Sequence, residues 1–310
     1  MADALGAQGD PPPVARSWLF TPGDRGERID KAIGASGADA LILDLEDSVA
    51  EVAKAAARDT VRQALAAPRD GAAPQLWVRI NPLASPFALD DLSAVAPAAP
   101  AGIVLPKPDG PDDVVRLTHY LDVFEAAAGL APGRIRILAL TPETPAGLLD
   151  RGDYRQAGAR LTGLSWGAED LASGAGADSS RTPDGAFTDL SRLGRTLCLA
   201  SAAAAGLPAV ETVYAAFKDL DGLQRCAEAA RREGFSGMLA IHPSQVPVIN
   251  AVFTPSEAEL DRARRLVALF AANPNAGALQ LDGRMVDRPH LDAARRLLGR
   301  ASATARVERA

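Results

Sequence analysis

A chain of 310 residues with 33 basic and 39 acidic side chains has a net charge of −6, which argues against nucleic acid as its main partner and leaves ample length for a large core. Its two cysteines, Cys198 and Cys226, cannot make a disulfide framework and read as apolar filler in a reducing, cytoplasmic setting. No apolar stretch approaches 18 residues without charge, so no membrane span is expected, and Met1–Ala15 lacks the basic-then-apolar order of a secretory leader.

The elements alternate along the chain. Residues 1–15, with Pro11-Pro12-Pro13, read as an extended, disordered lead-in. Ser17–Thr21 is a strand and Glu27–Ala35 a helix; Ala40–Leu45 is a continuous apolar run, as a strand buried on both faces should be. A helix over Ala53–Ala67 stops before Pro68, Leu76–Ile80 is the third strand, and Leu89–Val95 a short helix. Gly102–Leu105 is the fourth strand, and Pro-Asp-Asp opens a helix over Pro111–Ala128. Ile135–Leu140 is the fifth strand, Pro145–Ala157 a helix, and Gly163–Trp166 lies in the sixth strand. Ser173–Thr188 is rich in Gly, Ser and Asp and reads as a long active-site loop. Then come a helix at Asp189–Ala205, a strand at Pro208–Val213, a helix at Asp221–Glu233, an eighth strand at Gly237–Ile241 and a short helix near Val246–Val252. Eight β/α units over about 235 residues predict a (β/α)₈ TIM barrel at 16–253; a doubly wound open sheet is the alternative. Residues 254–310 predict a small C-terminal extension: a helix at Ser256–Ala272, a short strand or hairpin at Ala278–Asp282, and a final helix at Leu291–Leu298.

In a parallel α/β fold, ligands sit at the carboxyl ends of the strands. Glu143 and Asp170 each follow an apolar strand there. Neighbouring strands lie about 4.8 Å apart, so the two carboxylates could reach one hard divalent cation, with Mg²⁺ the first choice. Either acid could instead cap the following helix. Asp44, Glu46 and Asp47 crowd the end of the second strand and repel unless cations balance them. Arg79 ends the third strand: it either pairs with Asp44 or Glu46 or points at a substrate oxygen. Arg25, Arg28 and Lys31 follow the first strand at a Gly-containing turn that suits phosphate, although a solvated surface explains them equally well. His119 reads as a surface residue, His242 lies at the rim and His290 in the tail. No H-E-x-x-H occurs, which argues against a zinc site.

Six motifs together resemble the citrate lyase β-subunit-like family within the HpcH/HpaI aldolase superfamily. They are Arg16-Ser-Trp-Leu-Phe-Thr-Pro-Gly-Asp-Arg25, Leu41-Ile-Leu-Asp-Leu-Glu-Asp-Ser-Val49, Val78-Arg-Ile-Asn-Pro82, Val104-Leu-Pro-Lys107, Trp166-Gly-Ala-Glu-Asp-Leu171 and Ala240-Ile-His-Pro-Ser-Gln-Val246. The resemblance implies Mg²⁺-dependent, reversible carbon–carbon cleavage of 3-hydroxyacyl-CoA thioesters such as malyl-, citramalyl- or β-methylmalyl-CoA, giving an acyl-CoA and an oxoacid. It implies the metal on Glu143 and Asp170, and Arg79 on the thioester or carboxylate oxygen. It implies Phe20, Arg25, Lys31, Ile241 and His242 near the CoA or substrate, with Glu169 in the same binding set. Leu281-Asp-Gly-Arg-Met-Val-Asp-Arg-Pro289 resembles the family's lid motif, which implies a homotrimer or hexamer in which Asp287 enters a neighbouring active site. The run Pro106-Lys-Pro-Asp-Gly and the Thr141-Pro142 before Glu143 depart from the common pattern and leave the substrate open. A citryl-acyl-carrier lyase subunit, a malyl-CoA thioesterase and an aldolase acting on free pyruvate remain as rivals.

Overall fold

Ala40–Asp44 is buried at every position, and its continuous apolar character reflects a strand covered on both faces. The computed structural model describes residues 15–68, 73–150 and 152–307, so the lead-in expected over 1–15 lies outside them but for Ala15. In chain order the barrel elements are β1 (Ser17–Pro22), α1 (Gly26–Ala35), β2 (Ala40–Asp44), α2 (Lys54–Ala66), β3 (Gln75–Arg79), α3 (Ala88–Val95), β4 (Gly102–Leu105) and α4 (Pro111–Ala127). They continue with β5 (Arg136–Leu140), α5 (Pro145–Leu149), β6 (Leu161–Ser165), α6 (Ala168–Gly174), α7 (Asp189–Ala204), β7 (Val210–Glu211), α8 (Leu220–Glu233), β8 (Gly237–Ala240) and α9 (Val246–Phe253).

All eight strands pair in parallel in the order β6-β5-β4-β3-β2-β1-β8-β7. The ring closes where Leu164 bridges Ala209 and donates its N–H to the Pro208 carbonyl at 3.1 Å. The fold is therefore the (β/α)₈ barrel, and closure excludes the open sheet. Alternation along the strands sorts the two faces. Leu41, Leu43, Leu76 and Val78 pack in one cluster with Val61 of α2, Leu92 of α3 and Leu117 of α4. Trp77 and Arg79, and Ile42 and Asp44, are out of phase with that face and project into the barrel. There Trp18 and Trp77 meet edge to face at 5.0 Å. Gly102 leaves room for the Trp77 ring, since a Cβ on it would come within 2.1 Å of that ring.

Several boundaries differ from the sequence expectation. The helix expected over Pro145–Ala157 ends at Leu149, because Asp150 leaves helical geometry and Gly152 turns with φ +34; a 3₁₀ turn, Tyr154–Gln156, follows under an Asp153 cap. The strand expected over Pro208–Val213 shrinks to two residues: Pro208 has no N–H, and the Thr212 N–H bonds the Glu211 side chain instead of the ladder. The loop read from Ser173 is shorter than expected, since α6 runs to Gly174.

The chain forms two compact units, one over Arg16–Phe253 and one from Thr254 onward. The second contains α10 (Glu257–Ala272), β9 (Ala278–Leu281), β10 (Arg284–Asp287) and α11 (Arg288–Val307). A capping box between Ser256 and Glu259 starts α10. The β9–β10 hairpin turns on Asp282 and Gly283, both at positive φ, as an Asp-Gly pair favours. The final helix is longer than the expected Leu291–Leu298 and starts early, with Pro289 in its first turn. Leu266 and Phe270 of α10 pack with Val286, Leu291 and Ala294. Among the described residues no helix is long and apolar enough to cross a membrane.

Candidate active site

The inward phase of β2 and β3 brings Asp44 and Arg79, which are register partners, to the same end of the barrel. The Arg79 guanidinium donates to Asp44 through Nε and Nη2, both at 2.7 Å, and its Nη1 lies 2.7 Å from Glu46. Both sequence alternatives for its partner are thus realised at once. Two of its five N–H groups donate to Asp44, while Nη1 meets Glu46 as an ion pair. Asp44 also accepts the N–H groups of Glu46 and Ser48. Burial pushes its carboxyl up, but the Arg79 charge and these hydrogen bonds together hold it below the usual range.

Next along the rim stand Glu143, after β5, and Asp170, in the first turn of α6. Neither caps a helix. The Thr144 side chain caps α5, and α6 starts at Gly167 without a side-chain cap. Glu143 is buried and accepts the Lys107 N–H at 2.8 Å. Lys107, just past β4, extends its ammonium to Glu46 at 2.5 Å, Asp47 at 2.9 Å and Asp170 at 3.1 Å. Burial, reinforced by the charges of Glu46 and Asp170, pushes the Glu143 carboxyl up to about 8. Burial and Asp47 push Glu46 up to about 7 against the pull of Arg79 and Lys107.

These are the marks of a site short of positive charge. Among the described residues, the ion-pair partners of this cluster of Asp44, Glu46, Asp47, Glu143 and Asp170 are Arg79 and Lys107. A hard divalent cation fits that donor set, since Mg²⁺ takes one or two carboxylates and completes its shell with substrate and water oxygens. Gly167 makes the fit possible on the β6 side: a Cβ there would fall 2.4 Å from Glu143 Oε1. Beside Asp170, Glu169 accepts the Ser180 hydroxyl at 2.8 Å and so ties the loop after α6 to that helix.

On the opposite side of β1, a cleft of about 350 Å³ opens between β1, α1 and the end of β8. Phe20, Lys31, Ile241 and His242 all line it, as does Arg28; Arg25, exposed at the start of α1, is not among its lining residues. His242 Nδ1 takes part in the turn that follows, 2.7 Å from the Ser244 hydroxyl, and its ring stacks on Phe217 with centroids 4.9 Å apart. The Phe20 ring lies under the Arg79 guanidinium at 4.7 Å. One aromatic side chain therefore joins the cationic cleft to the acidic cluster.

In the other unit, Asp287 closes β10 and pairs with His290 at 2.5 Å. This hydrogen bond holds the Asp287 carboxyl below its usual range. His119 is exposed on α4, and the two cysteines are free, Cys198 buried and Cys226 half-buried.

The sequence offers Glu46 as a partner for Arg79 and Lys107 only as part of a motif, yet both occupy the centre of the cluster. The signal for Glu46 was its place among three acids within four residues. The signal for Lys107 was its position directly after an apolar strand, the same logic that identified Glu143.

Comparison with known proteins gives a consistent set of relatives. The family model described as HpcH/HpaI aldolase/citrate lyase matches residues 16–243. The citrate lyase subunit beta-like protein of Mycobacterium tuberculosis is 38% identical over 286 residues, covering 92% of this chain and 94% of that protein. The (3S)-malyl-CoA thioesterase of Cereibacter sphaeroides is 37% identical over 292 residues, covering 94% of this chain and 95% of its own length. The crystal structure of CitE from M. tuberculosis in complex with magnesium, acetoacetate and coenzyme A superposes with a TM-score of 0.74 at 38% identity, covering 93% of this chain and 98% of that one.

Proposed function

The chain belongs to the HpcH/HpaI aldolase/citrate lyase family, a family of enzymes, and from that premise we propose that it is a Mg²⁺-dependent carbon–carbon lyase acting on a 3-hydroxyacyl-CoA. The observation that carries this reading is the Phe20–Arg79 contact, which sets a cleft with Lys31 and Arg28 on its wall directly beside a cation-poor carboxylate cluster. Phosphates and pantetheine belong in the first, and the acyl head in the second. The M. tuberculosis structure with magnesium and coenzyme A supports the same pairing.

Glu143 and Asp170 would hold the ion, which when bound supplies Lewis-acid charge for the hydroxyl and carboxylate oxygens of the acyl group. The chain's own residues account for the rest. The hydroxyl proton passes to a base as the carbon–carbon bond breaks, leaving an oxoacid and an acyl-CoA enolate. Arg79 N–H groups not given to Asp44 donate to the enolate oxygen, and Asp44 and Glu46 fix the guanidinium in place. Asp287 of a neighbouring copy, in a homotrimer or hexamer, serves proton transfer to or from the α-carbon. Phe20, Lys31, Ile241 and His242 orient the thioester, while Arg25, outside the cleft wall, meets the phosphates from solvent.

A second reading, hydrolysis of a malyl-type thioester to free CoA, draws support from the C. sphaeroides relative. Both readings share the metal pair. Glu143→Ala and Asp170→Ala should each abolish magnesium-dependent turnover and calorimetric Mg²⁺ binding while circular dichroism stays native. Full activity of either variant in EDTA would remove the metal from the account.

A further inference from the structure

Lys107 is the residue on which the acidic cluster converges. Its main chain and its side chain serve different carboxylates. The backbone adopts φ +49, a left-handed conformation that a lysine rarely takes. This turn directs the N–H to Glu143 Oε2 at 2.8 Å and sends the side chain across the rim. There the ammonium contacts Glu46, Asp47 and Asp170 at 2.5, 2.9 and 3.1 Å. The same residue thus touches both carboxylates assigned to the ion. It reaches Glu143 with a neutral donor and Asp170 with a full positive charge.

A charge so placed has a definite consequence. An ammonium and a divalent ion that share the Asp170 carboxylate repel each other at short range, where Coulomb energies are only partly screened. Glu46 and Asp47 offer the ammonium an alternative anchorage away from Asp170, and Glu46 is the more buried of the two.

We propose that Lys107 is a positioning residue that serves as the internal counter-ion of the metal site: its ammonium neutralises Asp170 in the metal-free protein, gives that carboxylate up to Mg²⁺, and so sets the affinity of the site, while its backbone N–H holds Glu143 in place throughout. The inference rests on the reading that Glu143 and Asp170 bind the ion. It predicts that removing the charge tightens metal binding, the opposite of what loss of a supporting contact does.

The test is calorimetric Mg²⁺ titration of the full-length, substrate-free protein, with thermal unfolding measured in EDTA and in saturating Mg²⁺. Lys107→Met should bind Mg²⁺ about tenfold more tightly than the parent. Its metal-free form should lose stability while its magnesium form loses little, so the Mg²⁺-induced rise in Tm grows. Lys107→Gln, which keeps a polar side chain, should behave the same way. Unchanged or weaker Mg²⁺ affinity in a natively folded variant, with both forms destabilised equally, overturns the proposal and leaves Lys107 a purely structural ion-pair partner. A parent-protein crystal grown with Mg²⁺ provides a check that needs no variant: Lys107 still paired with a metal-ligating Asp170 also overturns it. Failure of the underlying reading looks different, because Asp170→Asn would then bind Mg²⁺ as the parent does.

Discussion

Glu143 stands so close to Gly167 that even one methyl group has no room between them, and this contact carries a sharp prediction. A Cβ at residue 167 would lie 2.4 Å from Oε1 and 2.7 Å from Cγ of Glu143. Glu143 cannot simply retreat, because the Lys107 N–H holds its other oxygen. Gly167→Ala should therefore weaken Mg²⁺ binding by about tenfold or more with little loss of Tm, since a displacement of about 1 Å is enough to spoil a site of fixed geometry. A calorimetric Mg²⁺ affinity equal to the parent's would show that Glu143 does not need that position. At this scale the sequence was partly legible. Arg79 ends an apolar strand, and Glu143 and Asp170 each follow one, a pattern visible in one dimension. The seat of Lys107 was not, because it depends on a left-handed turn at a non-glycine residue, which nothing in the residue type announces.

At the scale of elements, the strands were the most legible part because burial on both faces demands unbroken apolar runs, and β2, β4 and β8 are buried throughout. The helices α5 and α6 were less so. Both are short, and each is ended or started by side-chain and glycine chemistry rather than by periodicity. What holds α4 to the base of the barrel was also illegible, because its partners are far apart in sequence. Arg160, just before β6, pairs with Glu125 of α4 through two bonds of 2.8 and 2.6 Å and also meets Asp122. Glu125 further accepts the N–H groups of Ile135 and Gly133. Burial raises its carboxyl, but the Arg160 guanidinium and those amides more than offset this and hold it below the usual range. A lowered folded-state value means the stabilisation is complete above the unfolded carboxylate value, about 4.3, and is lost as pH falls through the folded value. Denaturant titrations from pH 7 to pH 3 should thus show Glu125→Ala costing about 3–5 kcal/mol at neutral pH, with the gap to the parent closing in acid. A gap independent of pH would assign the loss to packing alone.

Over the whole molecule, the barrel was legible because eight β/α repeats permit few closed arrangements, and the Leu164–Ala209 bridge completes the one expected. The tail was less legible. Its hairpin ends β10 on Asp287 and a long final helix follows, so what Asp287 faces is not written in the local pattern. If Asp287 serves a neighbouring barrel, mixing equal amounts of inactive Asp287→Asn and inactive Arg79→Ala chains should restore up to roughly a quarter of parental turnover after subunit exchange, because some barrels then receive both intact residues. No recovery after exchange verified by mass spectrometry would confine Asp287 to its own chain or remove it from catalysis. The central claim concerns which bond breaks, and product analysis decides it most directly. Purified protein, with and without Mg²⁺, should be presented with malyl-, citramalyl- and β-methylmalyl-CoA and the products identified by mass spectrometry. The account predicts magnesium-dependent formation of an oxoacid and a shorter acyl-CoA in equal amounts from at least one of them. Release of the intact hydroxy acid with free CoA, and no oxoacid from any of the three, would contradict it.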